Sequence, residues 1–124
     1  MTSEAFRDAV AFLRDHPDTY LATLEGDEPW VRAMRLARVD DDGTLWYATW
    51  GSSNKVRQIR QHDKVCVIAD NDDVLLRIFG AAQIVADPAV KQALWHDSWA
   101  EYFTGRDDPN YVLVMVAPYR TEFK

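Results

Sequence analysis

The chain has 124 residues, 48% of them hydrophobic and 27% charged, with a formal net charge of −6. That length suits one domain with a buried core, and the acidic balance argues against a nucleic-acid partner, which would need a basic face. Cys66 is the only cysteine, no stretch approaches the ~20 apolar residues of a membrane span, and residues 1–4 lack the features of a signal peptide. The expectation is a soluble cytoplasmic protein with a single domain over residues 1–124 and no intrachain disulfide.

Ser3 is placed to cap a helix, with Glu4 and Asp8 near its positive end and Phe6, Ala9, Val10 and Leu13 at helical spacing. Asp15-His16-Pro17 ends it, because the residue before a proline avoids helical geometry. Strands are expected over residues 20–24, 30–39 and 45–49, joined by acidic, glycine-bearing turns. Gly51-Ser52-Ser53-Asn54 breaks that pattern, and a short helix follows over 55–61 with Val56 and Ile59 inward. Strands resume over 64–69 and 74–85. Gly80, inside the longer one, marks a bend or bulge of the kind that closing a barrel requires.

Asp87 and Pro88 open a further helix, as cap and first-turn residue. It is expected to run to Phe103, carrying Val90, Leu94, Trp95, Trp99 and Tyr102. Residues 111–117 form an apolar strand, Pro118 interrupts it, and 119–123 form a last short strand. Strands dominate and most are hairpin partners, which makes the fold class mainly β: an antiparallel barrel with peripheral helices.

The strand over 30–39 has two faces, one carrying Trp30, Arg32, Met34, Leu36 and Arg38, the other Val31, Ala33, Arg35, Ala37 and Val39. Arg35 interrupts a small, apolar face, so it needs an anionic partner or a place at the barrel mouth. Arg32, Arg35 and Arg38, followed by Lys55, Arg57 and Arg60, form a local basic cluster suited to a small anion. Between strand and helix, Thr49-Trp50-Gly51-Ser52-Ser53-Asn54-Lys55 brings hydroxyls, a glycine and a lysine to a helix start. Free N–H groups and the helix dipole attract phosphate there. His16, His62 and His96 lack metal-ligand spacing and are expected at the surface or at helix ends. Cys66, in Val65-Cys66-Val67-Ile68-Ala69, is expected in the core.

Three runs carry a resemblance: Pro29-Trp30-Val31-Arg32-Ala33-Met34-Arg35-Leu36, Leu45-Trp46-Tyr47-Ala48-Thr49 and Ser53-Asn54-Lys55-Val56-Arg57-Gln58-Ile59. In order and spacing they resemble the FMN-binding half of pyridoxamine-phosphate-oxidase-like proteins. Trp95, Trp99, Tyr102-Phe103, Asp108-Pro109 and Thr121-Glu122-Phe123 resemble its short bacterial general-stress-protein branch. The resemblance implies an antiparallel FMN-binding split barrel, working as a homodimer with non-covalent FMN at the subunit interface. It puts Arg32 and Lys55 on phosphate-binding positions, with Ser53 as a phosphate-contacting hydroxyl. Ala33, Met34 and Arg35 fall along the isoalloxazine ring, Ala48 and Thr49 on strand contacts, and Trp99 where an aromatic closes the pocket. Tyr47, Ser52 and Asn54 complete the expected cofactor-binding set.

Departures from the family pattern narrow the activity. Ala37 stands where those oxidases carry a second lysine, Asn54 where they carry an arginine, and Leu75 where a glutamine faces the flavin. The arginine- and histidine-bearing C-terminal substrate motif has no counterpart, so vitamin B6 oxidation is not expected. What remains is an FMN-dependent oxidoreductase acting on a small-molecule redox substrate or donor, with no metal and no catalytic acid or base that the sequence names. Its rivals are a non-enzymatic flavin-binding stress protein and the same fold holding deazaflavin or haem.

Overall fold

The computed structural model describes residues 3–124. Helix α1 (Ser3–Asp15) turns Ala9, Val10 and Leu13 inward, as its spacing predicts. The side chains of Ser3 and Glu4, to which a cap and a first-turn charge were assigned, lie outside the described residues. The strands are β1 (Asp18–Glu25), β2 (Glu28–Arg35), β3 (Arg38–Val39), β4 (Leu45–Trp50), β5 (Lys64–Asp70), β6 (Leu75–Val85) and β7 (Tyr111–Phe123). Helix α2 (Asn54–Gln61) follows β4, and α3 (Pro88–Leu94) and a 3-10 turn (Asp97–Glu101) follow β6. No helix among the described residues is long and apolar enough to cross a membrane.

All seven strands join one antiparallel sheet in the order β2-β1-β5-β6-β7-β4-β3. Its two edge strands, β2 and β3, are nearly continuous in sequence. Leu36 N–H still donates to Pro17 O (2.8 Å) beside β1, whereas Ala37 N–H donates to Trp46 O (2.7 Å) on β4. The chain thus leaves one edge of the sheet and joins the other, curling it into a half-barrel. This corrects the expectation of a single strand over 30–39. One straight strand cannot pair with β1 and β4 together, so the pairing changes partner at residues 36–37. The alternation slips there as well: Leu36 and Val39 are both buried and Arg38 points out.

Gly80 carries the rest of the curvature. The β6–β7 register shifts between Phe79 and Gly80. A Cβ on Gly80 would lie 2.7 Å from Val116 Cγ1 and 2.9 Å from Ala117 O, so a side chain there would force the strands apart. The same bulge explains why Pro118 does not interrupt β7, contrary to expectation. Pro118 faces Gly80 at the irregularity, and the β4 ladder on the other side of β7 already ends at Val116. Its missing N–H therefore costs no ladder bond.

Helix α3 is also shorter than its spacing suggests. Asp87 caps α3 as expected, accepting from Ala89 N–H (2.8 Å) and Val90 N–H (3.3 Å). At Trp95 the backbone is extended (ψ 135) and the chain restarts as the 3-10 turn. Trp95, His96, Asp97 and Ser98 are all mediocre helix formers, and His96 Nδ1 accepts from Ser98 N–H at 3.2 Å, a side-chain bond that competes with helix continuation.

Two apolar clusters result. The first fills the barrel: Leu21, Leu45, Tyr47, Val65, Val67, Leu76, Ile78, Val114 and Val116, joined by Ala9, Val10 and Leu13 of α1 and by Ile59 of α2. The second lies between the α3 lobe and β4/β7: Trp46, Leu94, Phe103, Tyr111 and Leu113, flanked by Trp95 and Trp99. Cys66 belongs to neither. Strand alternation sends Val65, Val67 and Ala69 inward and leaves Cys66 half-buried on the other face, where burial still pushes its thiol pKa up.

Candidate functional site

A cavity of about 810 Å³ lies between β2, β4, the start of α2 and the α3 lobe. That is the size of a small-molecule site. Its two ends differ in chemistry.

The cationic end is made by Arg32 and Lys55. Arg32 is on the inward face of β2. Its Nη1 donates to Thr23 Oγ1 (2.7 Å) and Leu21 O (3.2 Å), and its Nη2 to Gln58 Oε1 (3.0 Å). Lys55 Nζ, from the first turn of α2, donates to Thr49 Oγ1 at 3.0 Å. Among the described residues neither cation meets a carboxylate. Burial lowers the pKa of Arg32; burial and then the charge of Arg32 lower that of Lys55. Two half-buried cations surrounded by neutral oxygens leave a positive field unspent on the protein itself, which an anion would relieve.

Three more arginines of the expected basic cluster are paired with carboxylates, while exposed Arg60 has no ion pair among the described residues. Arg57 pairs with Glu25 (2.7 Å), Arg38 with Asp40 (2.7 Å) and Arg35 with Asp18 (2.9 Å). The anionic partner sought for Arg35 is thus Asp18, and the Arg35 side chain is 68% exposed at the cavity rim.

The aromatic end is built by Trp50, Trp99, Tyr102 and Phe103, with Met34 and Ala48 on the facing strands. Trp50 Nε1 donates to Tyr102 O (3.2 Å), tying β4 to the lobe. Behind them Tyr111 is fully buried, with Trp95, Trp99 and Phe103 at 5.5, 5.9 and 5.1 Å between ring centroids. Its hydroxyl donates to Lys91 O (2.9 Å), and burial pushes its pKa up to about 12.

Of the residues expected at the site, Arg32, Ala33, Met34, Arg35, Ala48, Thr49, Lys55 and Trp99 line this one cavity. Tyr47, Ser52, Ser53 and Asn54 do not. Tyr47 points into the barrel, its hydroxyl 2.6 Å from Thr19 Oγ1. Ser52 and Asn54 are exposed. Ser53 is the N-cap residue of α2, yet its buried Oγ has no partner among the described residues. Trp95 is partly buried in the aromatic cluster and meets Trp99 edge-on, with 5.9 Å between ring centroids.

Sequence reasoning passed over Thr23 and Gln58. His96, expected at the surface or at a helix end, is exposed at the start of the 3-10 turn and also lines the cavity. Thr23 and Gln58 had a usable signal: each is a polar residue at an inward position of its element, beside Leu21 in β1 and beside Val56 and Ile59 in α2. No cluster of metal-ligating side chains occurs among the described residues.

Known proteins are similar to this chain over nearly its whole length. General stress protein 26 of Bacillus subtilis is 25% identical over 124 residues, 95% of this chain and 87% of that protein. The crystal structure of general stress protein 26 from Bacillus anthracis superposes with a TM-score of 0.85 at 24% identity, covering 97% of this chain and 93% of that one. A candidate pyridoxamine 5'-phosphate oxidase from Listeria innocua gives 0.82 at 26% identity, covering 96% and 97%. These solved structures bear out the split-barrel fold. The family model described as pyridoxamine 5'-phosphate oxidase like matches residues 4–123, and the chain belongs to that family.

Proposed function

We propose that this protein is an FMN-binding flavoprotein and an FMN-dependent oxidoreductase. The observation that carries the reading is the polarity of the cavity. Two cations without carboxylate partners lie at one end, and aromatic rings with small apolar residues at the other. A planar ring system bearing a phosphate matches both ends. The phosphate would meet Arg32 and Lys55, with the orphaned hydroxyl of Ser53 close by in sequence at the start of α2. Ala33, Met34, Ala48 and Trp99 would flank the ring. Bound flavin supplies hydride transfer to or from a small-molecule substrate. The chain's own residues would bind the phosphate, orient the ring and exclude water on the lobe side.

A homodimer belongs to the same proposal. Tyr20 (50% exposed) and Val31 (60%) share one face of the adjacent strands β1 and β2 with exposed Ala33 of the cavity wall. Apolar surface of that kind suits burial against a second copy.

Absorbance of the purified protein and fluorescence titration with FMN and riboflavin test the reading. FMN bound more tightly than riboflavin, with the difference lost in Lys55→Ala, supports it. No binding of either flavin overturns it, and turnover with NADH or NADPH separates catalysis from flavin storage.

A further inference from the structure

Gln58 is a buried polar side chain bonded to Arg32 at the cationic end, although it does not line the cavity. It is 0% exposed. Its Oε1 accepts from Arg32 Nη2 at 3.0 Å and from the Thr23 hydroxyl. Thr23 Oγ1 in turn accepts from Arg32 Nη1 at 2.7 Å. Guanidinium, hydroxyl and amide therefore close a ring of three hydrogen bonds, in which the single Thr23 proton goes to Gln58.

An arginine has only donors, so the amide must present its oxygen to Arg32. The amide nitrogen then points away and has no partner among the described residues. A methionine would fill similar volume without burying an unpaired N–H group. What the amide adds at this position is the acceptor. The charge balance is equally specific. Thr23 and Gln58 are neutral, so they fix the guanidinium without cancelling its charge. The neighbouring Arg57 shows the contrast: Glu25 takes Arg57 Nη1 with both carboxylate oxygens, at 2.7 and 2.8 Å. Because Thr23 and Gln58 are bonded to one another, they hold one hydrogen from each terminal nitrogen of Arg32. Arg32 Nε–H has no acceptor among the described residues.

We infer that Thr23 and Gln58 are positioning residues that preset the Arg32 guanidinium, uncancelled and with its Nε edge open, for the phosphate group of the ligand. The inference rests on the proposed flavin-phosphate reading of the cavity.

The test compares FMN with riboflavin, which lacks the phosphate, by fluorescence titration of the full chain. In Gln58→Met and in Thr23→Val the FMN-to-riboflavin affinity ratio is expected to fall about tenfold, as for loss of a hydrogen bond at a charged group. Riboflavin affinity and Tm stay near the parent values. In an Arg32→Ala background, Gln58→Met is expected to cause no further fall, because the effect runs through Arg32. An unchanged ratio in folded Gln58→Met, or an equal fall without Arg32, overturns the inference while leaving the flavin reading intact. A parent ratio near one sinks the phosphate reading and this inference with it. Should Gln58→Met fail to fold, Thr23→Val carries the same test.

Discussion

The two ends of the cavity are held by different physics. At the cationic end, every contact is a directional hydrogen bond from a regular element: β1 supplies Thr23 and the Leu21 carbonyl, β2 Arg32, β4 Thr49, and α2 Lys55 and Gln58. At the aromatic end, rings meet at centroid distances of 5.1 to 6.4 Å across a broken helix and a 3-10 turn. Directional groups need a backbone that fixes them to a fraction of an ångström. Apolar contacts are non-directional and scale with buried area, so an irregular segment can supply them. In the proposed reading, the barrel presets recognition of charge and the lobe supplies the apolar contacts to a ring.

The sharpest way to break that comparison is to remove both cations. Arg32→Ala with Lys55→Ala should weaken FMN binding by about 100-fold or more, since each charge-assisted contact is worth roughly 1.5–3 kcal/mol. Riboflavin binding should change by less than about threefold. A parallel fall for the two ligands in calorimetric titration would show that the ends do not act separately.

Tyr111→Leu tests the aromatic side. It removes a fully buried ring and the hydroxyl bond to Lys91. A loss of about 2–4 kcal/mol is expected in denaturant unfolding, with the FMN-to-riboflavin ratio unchanged in the folded fraction.

Trp99→Ala should have a smaller effect. It should weaken FMN and riboflavin alike by about tenfold, the scale of one aromatic contact, and reduce quenching of flavin fluorescence. Selective loss for FMN alone would place Trp99 at the wrong end.

The mildest prediction concerns pH. Burial and the charge of Arg32 lower the pKa of Lys55, and only the protonated amine attracts an anion. FMN affinity should therefore fall as pH rises through that lowered value, starting below the ordinary lysine range near ~10.4. Binding should take up protons on that limb, measurable by calorimetry in buffers of different ionisation enthalpy. The ligand-free protein has the opposite sign. Its unfolded state holds the Lys55 proton more tightly, so stability rises as pH climbs from the folded to the unfolded pKa. Lys55→Met should abolish both trends.

Much of the barrel was legible because its signals are local. Period-two runs, acidic turns, Asp87-Pro88 and the mid-strand glycine each act through neighbouring backbone, and each appears in the structure. Two misreadings share a cause. Whether residues 30–39 pair on one side or change partner, and whether Pro118 stops β7, depend on what lies opposite: β4 and Gly80. The site divides likewise. Arg32 and Lys55 were marked by charge in an acidic chain, whereas Gln58 and Thr23 carry no charge and matter only through Arg32.

The sequence by itself determined the mainly β class, the barrel-closing role of Gly80, the family, and a local excess of arginine and lysine. Those follow from periodicity, from glycine's missing side chain and from the order of residues along the chain. Only the tertiary structure decided which of those cations meet a carboxylate and which do not. Glu25, Asp18 and Asp40 neutralise three arginines, while Arg32 and Lys55 face neutral oxygens contributed by β1, β4 and α2. Charge compensation acts over a few ångströms in space, and no separation along the chain can specify it.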